Sequence, residues 1–137
     1  MDALKKHFQD GDQFAARNGI ELVTLEPGHA VTRMVVQPWH HNAVGIVQGG
    51  AVFTLADFAF GAASNSDGTV ALGVNMSVTF LKATRTGTLT ADAREIGGSS
   101  KLGSYTINVT DESGQLVAVM QGLAYRKKET HPLPHAR

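Results

Sequence analysis

The sequence predicts an α+β protein in which a curved antiparallel sheet wraps around one long central helix. Three observations lead there. The stretch from Gly49 to Asn65 is apolar on nearly every side, so a helix formed by it has to be buried nearly all round. Six other segments, two before it and four after it, are β-rich and separated by turn residues. Along the helix, Ala51, Ala56, Ala59, Gly61, Ala62 and Ala63 are small enough to let a surrounding sheet approach closely.

Taken in order, residues 3–17 read as a short amphipathic helix, with Leu4, Phe8 and Phe14-Ala15 on one side, Lys5, Lys6, Asp10 and Asp12 elsewhere, and Gly11 as its weak point. Ile20–Glu26 and His29–Gln37 form a first hairpin across the Pro27-Gly28 turn. Pro38 to Gly45 is a loop in which the adjacent His40 and His41 suit solvation. The central helix follows, closed by Ser66-Asp67-Gly68. Strands are then expected at Val70–Leu81, Thr86–Ile96, Lys101–Thr110 and Gln115–Lys127, with Gly97-Gly98-Ser99-Ser100 and Asp111-Glu112-Ser113-Gly114 as hairpin turns. One domain is expected over residues 1–128, with residues 129–137 as an inert, disordered tail.

Composition narrows the function classes. A chain of 137 residues with 42% hydrophobic content can bury a real core. Its net charge of zero provides no global basic field, so nucleic acid is not an expected partner. The absence of Cys removes disulfides, thiolate catalysis and Cys-based metal sites together. Met1–Arg17 lacks the basic-then-apolar pattern of a leader, and the longest apolar run is interrupted by Asp57, so no membrane partner and a cytoplasmic setting are expected. His40 and His41 are adjacent and His7, His29, His131 and His135 are scattered, no Gly-x-Ser-x-Gly elbow or phosphate-binding P-loop occurs, and no metal or organic cofactor is expected.

The main clue to function is Asp57, the one acidic or basic side chain between His41 and Asp67. A carboxylate in so apolar a segment costs several kcal/mol unless something offsets it, and such groups cluster at functional sites. The bland alternative is a core carboxylate bonded to a Ser or Thr of the sheet. Ahead of it, Asn42, Gly45 and Gln48 lead into the helix start at Gly49-Gly50, where glycines serve either ligand approach or close packing.

The pattern Asn42-x-x-Gly45-x-x-Gln48-Gly49-Gly50-x-x-x-x-Leu55-x-Asp57 resembles the active-site signature of hotdog-fold acyl-CoA thioesterases. The continuation Asp57-x-Ala59-Phe60-x-x-Ala63-Ser64-Asn65-Ser66 is most similar to their phenylacetic-acid-degradation, or PaaI-type, branch. The resemblance runs from Val31 to Arg126 and includes Val78-Thr79-Phe80-Leu81-Lys82 and Gly87-Thr88-Leu89-Thr90-Ala91. Two departures stand out: Gln48 replaces the usual His before the glycines, and Gly73 falls where many relatives carry Ser or Thr.

The resemblance implies hydrolysis of a small, aryl-acetyl-type CoA ester, with coenzyme A part of the substrate. It assigns the oxyanion role to the Gly49 amide, an unpaired donor at the positive end of the helix dipole. Asp57 would be general base or direct nucleophile, and Asn42 and Gln48 would supply side-chain amides. The expected substrate- and CoA-binding residues are Gly50, Gly73, Asn75, Lys82, Arg85, Gly98, Ser99, Lys101 and Arg126. Gly49 and Asp57 lie eight residues apart, about 12 Å along a helix axis, so one helix does not bring both to one thioester. A homodimer with shared sites is expected, and the resemblance implies a tetramer of such dimers. The rival reading is a hotdog module that binds an acyl thioester without turnover; a dehydratase fits poorly because it relies on the missing His.

Overall fold

The computed structural model describes residues 1–133. Two short helices, α1 (Asp2–Gly11) and α2 (Gln13–Arg17), precede strands β1 (Ile20–Glu26) and β2 (His29–Val35). After a 3-10 turn at Pro38–His40 comes the central helix α3 (Gly49–Ser64). Strands β3 (Thr69–Phe80), β4 (Thr88–Gly98), β5 (Leu102–Thr110) and β6 (Leu116–Thr130) complete the chain. They form one antiparallel sheet in the order β1-β2-β4-β5-β6-β3. The expected architecture of one sheet around one helix is what the structure has.

Alternation along the strands sets which residues face α3. In β4, Leu89, Ala91 and Ala93 are fully buried, as are Ile107 and Val109 in β5 and Ala118 and Met120 in β6. Helix α3 buries Val52, Leu55, Ala56, Phe58, Ala59, Phe60, Ala62 and Ala63 against them. The largest of these rings needs a specific accommodation. Phe60 stacks edge-on against Tyr105 and lies over Gly73 and Gly122, where a Cβ would come within 2.9 Å and 2.8 Å of its ring. Buried Thr32 donates to the Leu55 carbonyl at 2.8 Å and so pins the middle of the helix to β2.

Four expectations are corrected. The single N-terminal helix is two, because the chain breaks at Gly11 and restarts where Asp12 caps α2 by accepting from the Ala15 amide at 3.0 Å. Phe14, expected on the buried side, is exposed by this turn. His40 is not a solvated loop residue: it is buried, with Nδ1 accepting from the Gln37 amide and Nε2 donating to the Asn18 carbonyl. The tail is not free from Glu129 onward, since β6 runs to Thr130 and His131 is docked. Residues 134–137 of that expected tail lie outside the described residues.

Strand β3 is an edge, paired only with β6 among the described residues. It leaves Leu72, Val74, Met76 and Phe80 exposed, an apolar row beside open backbone hydrogen-bonding groups. No helix among the described residues is long and apolar enough to cross a membrane.

Candidate active site

Helix α3 starts from an extended Gln48 whose side-chain oxygen accepts from the Gly50 amide at 2.6 Å. This cap uses up one of the two glycine amides. The Gly49 N–H has no partner among the described residues and lies at the positive end of a 16-residue helix. Asn42 faces the same opening. Its Oδ1 accepts from the Val44 and Ile46 amides, which fixes the side chain and leaves Nδ2 free to donate outward. Gln48 likewise retains a free Nε2. Asn42, Gly49, Phe80, Lys82 and Thr84 line a cleft of about 370 Å³. The Phe80 ring packs beside Gly49, with Cζ 3.1 Å from where a Cβ would stand.

Two turns further on, Asp57 emerges into a different groove. It is half-buried and has no hydrogen-bond or ionic partner among the described residues. The structural alternative required a sheet hydroxyl, and the hydroxyl that reaches α3 from β2, Thr32, is bonded to the Leu55 carbonyl instead. Burial raises the pKa of Asp57, and the negative charge of Asp12 raises it further. The groove measures about 750 Å³ and is lined by Phe8, Asp12, Phe58, Phe60, Leu72, Gly73 and His131 among others. Its outer wall comes from α1 and the end of β6, neither of which was expected at the site. Asp12 was read only as a polar residue of one N-terminal helix, and its approach to Asp57 depends on tertiary packing.

His131 is fixed in this wall. Nε2 lies 2.7 Å from Oδ1 of Asn65, an atom that already accepts from the Ala71 amide while Nδ2 donates to two carbonyls. His131 therefore donates from Nε2. Burial, then the neighbouring His7, holds its pKa below the usual histidine value.

The remaining expected residues divide between these openings and other surfaces. Gly73 lines the Asp57 groove and makes room for Phe60, which accounts for a glycine where relatives carry a hydroxyl. Asn75 lies exposed on edge strand β3, beyond a bulge in its pairing with β6. Lys82 is paired with Asp111 at 2.5 Å and also donates to Gln115. Arg85 donates to the Gly45 carbonyl at 3.1 Å, which braces the loop carrying Asn42. Gly98, Ser99, Lys101 and Arg126 gather at the β4–β5 turn, where Arg126 bonds Glu95 at 2.7 Å and the Ser99 carbonyl at 3.2 Å. Within one chain, then, the structure brings Asn42, Gln48, Gly49 and Gly50 together, and it keeps Asp57 and the β4–β5 cluster apart from them.

A six-stranded antiparallel sheet wound around one central helix has counterparts among known proteins. The family model described as "Thioesterase superfamily" matches residues 44–118. A protein of Archaeoglobus fulgidus with a provisional esterase designation is 33% identical over 133 residues, covering 96% of this chain and 86% of that one. The acyl-coenzyme A thioesterase PaaI of Escherichia coli is 32% identical over 118 residues, 85% of this chain and 84% of its own. The solved structure of the E. coli PaaI protein superposes with a TM-score of 0.85 at 32% identity over 88% of each chain. The 1,4-dihydroxy-2-naphthoyl-CoA hydrolase of Listeria monocytogenes is 32% identical over 116 residues, 80% of this chain and 93% of its own. The chain belongs to the thioesterase superfamily, in its PaaI-type hotdog branch, and is thus a thioester hydrolase.

Proposed function

We propose that this chain hydrolyses small aryl-acetyl-type acyl-CoA esters to free acid and CoA, as a cytoplasmic enzyme that needs no cofactor. The observation that carries this reading is Asp57: a carboxylate with no partner among the described residues, in a groove walled in part by Phe8, Phe58, Phe60 and Leu72. Two relatives named as CoA-ester hydrolases support the substrate class; one is named for 1,4-dihydroxy-2-naphthoyl-CoA, and the other comes from a phenylacetic acid degradation operon.

In this mechanism the Gly49 N–H and the Asn42 amide donate to the thioester carbonyl oxygen. Asp57 removes a proton from water as the water oxygen attacks the carbonyl carbon. The C–S bond then breaks, and the thiolate of CoA takes the proton back from Asp57. Direct attack by Asp57 through a mixed anhydride is the alternative route, and solvent oxygen-18 would enter the Asp57 carboxyl in that case alone. Gln48 acts by capping α3 and directing Nε2 into the opening.

One chain cannot supply both ends of this reaction, because Gly49 and Asp57 stand about 12 Å apart along α3. Two chains paired through the β3 edges would cover Leu72, Val74 and Met76 and bring Asp57 of one to Gly49 of the other, giving a homodimer with two shared sites and a tetramer of such dimers.

A panel of acyl-CoA esters assayed for free thiol release tests the reading directly. Turnover with phenylacetyl-type esters is expected; tight binding without thiol release from any ester would establish the non-catalytic module instead. The pH profile provides a second check. The base must be ionised, so kcat/KM falls as pH drops through a carboxyl pKa held above the ordinary value near 4. Asp12→Asn removes one of the two causes and should move this acid limb to lower pH. An unmoved limb would separate Asp57 from the observed ionisation.

A further inference from the structure

We propose that α1 is the outer wall of the acyl subsite and that Phe8 sets the size of the acyl group admitted beside Asp57; this rests on the hydrolase reading above. Phe8, Phe58, Phe60 and Leu72 line the same groove as Asp57, and Asp12 is a second carboxylate in it. At about 750 Å³ the groove falls in the range of small-molecule sites, roughly 300–1,000 Å³. Its occupant is the acyl group itself, because a thioester whose carbonyl lies at Asp57 must extend its apolar end along these walls.

The wall is braced where Phe8 needs it. Phe8 stands edge-on to His131 at 5.1 Å between ring centroids, and His7 packs against both rings at 5.6 Å and 5.3 Å. His131 donates to Asn65, the residue that caps the end of α3, and its own amide bonds the Gly68 carbonyl at 2.9 Å. Phe8 is thereby referenced to the same helix that carries Asp57. A ring held in this way measures the ligand instead of yielding to it.

The test compares binding of ketone analogues of butanoyl-, phenylacetyl- and decanoyl-CoA, in which CH₂ replaces the thioester sulfur, to wild type, Phe8→Ala and Phe8→Trp. Opening the wall with Ala should raise the decanoyl-to-butanoyl affinity ratio by ~10-fold or more, at about fourfold for each methylene newly buried. Trp should lower the same ratio. Loosening of α1 alone does not move the ratio in opposite directions for the two variants. If Phe8→Ala fails to fold, Phe8→Leu takes its place. Ratios within twofold of wild type in both directions would overturn the inference. Because the analogues are not hydrolysed, the result is independent of thiol release: an inactive wild type would remove the hydrolase reading while the binding ratios still decide the role of Phe8.

Discussion

Asp57→Asn is expected to lower kcat by at least ~10²-fold, the usual scale for loss of a positioned general base, while KM changes little. Stability gives this prediction its edge. Asp57 has no partner among the described residues, so Asn breaks no hydrogen bond and removes a charge that is costly to bury. The melting temperature should stay level or rise. A carboxylate kept for structure behaves in the opposite way, losing stability on substitution and leaving the surviving folded fraction active. Near-normal turnover in a well-folded variant would remove Asp57 from the chemistry.

Gly49→Pro is the second large effect, expected at a loss of ~10²- to 10³-fold in kcat for one oxyanion donor. Elsewhere in a helix proline would break the fold, but Gly49 is the first helical residue, where proline is tolerated and the missing N–H costs no helix bond. Gln48 before it already has φ −63 and ψ 137, an extended conformation compatible with a following proline. Beyond displacing the Phe80 ring, as any Cβ here must, the substitution deletes one donor. Gly49→Ala retains the donor and has only to displace the Phe80 ring, 3.1 Å away, so it should keep most of the activity. Equal activity of the two variants would show that this amide does not touch the reacting carbonyl.

Much of this architecture was legible in the sequence, for local reasons. The central helix was expected at Gly49 to Asn65 and is found at Gly49–Ser64, because a long, mostly apolar run between a glycine pair and Ser66-Asp67-Gly68 has few alternatives. Each strand lies within three residues of its expected bounds, since alternation and Gly-containing turns mark both ends. Residues joined by short spacing, Asn42 through Gly50, were likewise recognisable as a unit. What could not be read depended on long-range placement. Nothing local distinguishes the Gly50 amide, taken by Gln48, from the Gly49 amide left free. The glycines at 73 and 122 gain their meaning only under the Phe60 ring. Phe8, Asp12 and His131 reach Asp57 from both ends of the chain, and no spacing rule links them. Of the cations expected to bind CoA, Lys82 and Arg126 turned out to have internal partners in Asp111 and Glu95.

The central claim is that one catalytic centre takes Gly49 from one chain and Asp57 from another. The most direct measurement mixes Gly49→Pro and Asp57→Asn chains in equal amounts, co-refolds them, and assays thiol release. Random pairing makes half of the dimers mixed, and a site shared in trans leaves each mixed dimer one intact centre, so about a quarter of wild-type activity should return. If mixed dimers form and activity stays at the level of the separate variants, both residues act within one chain and the account is contradicted.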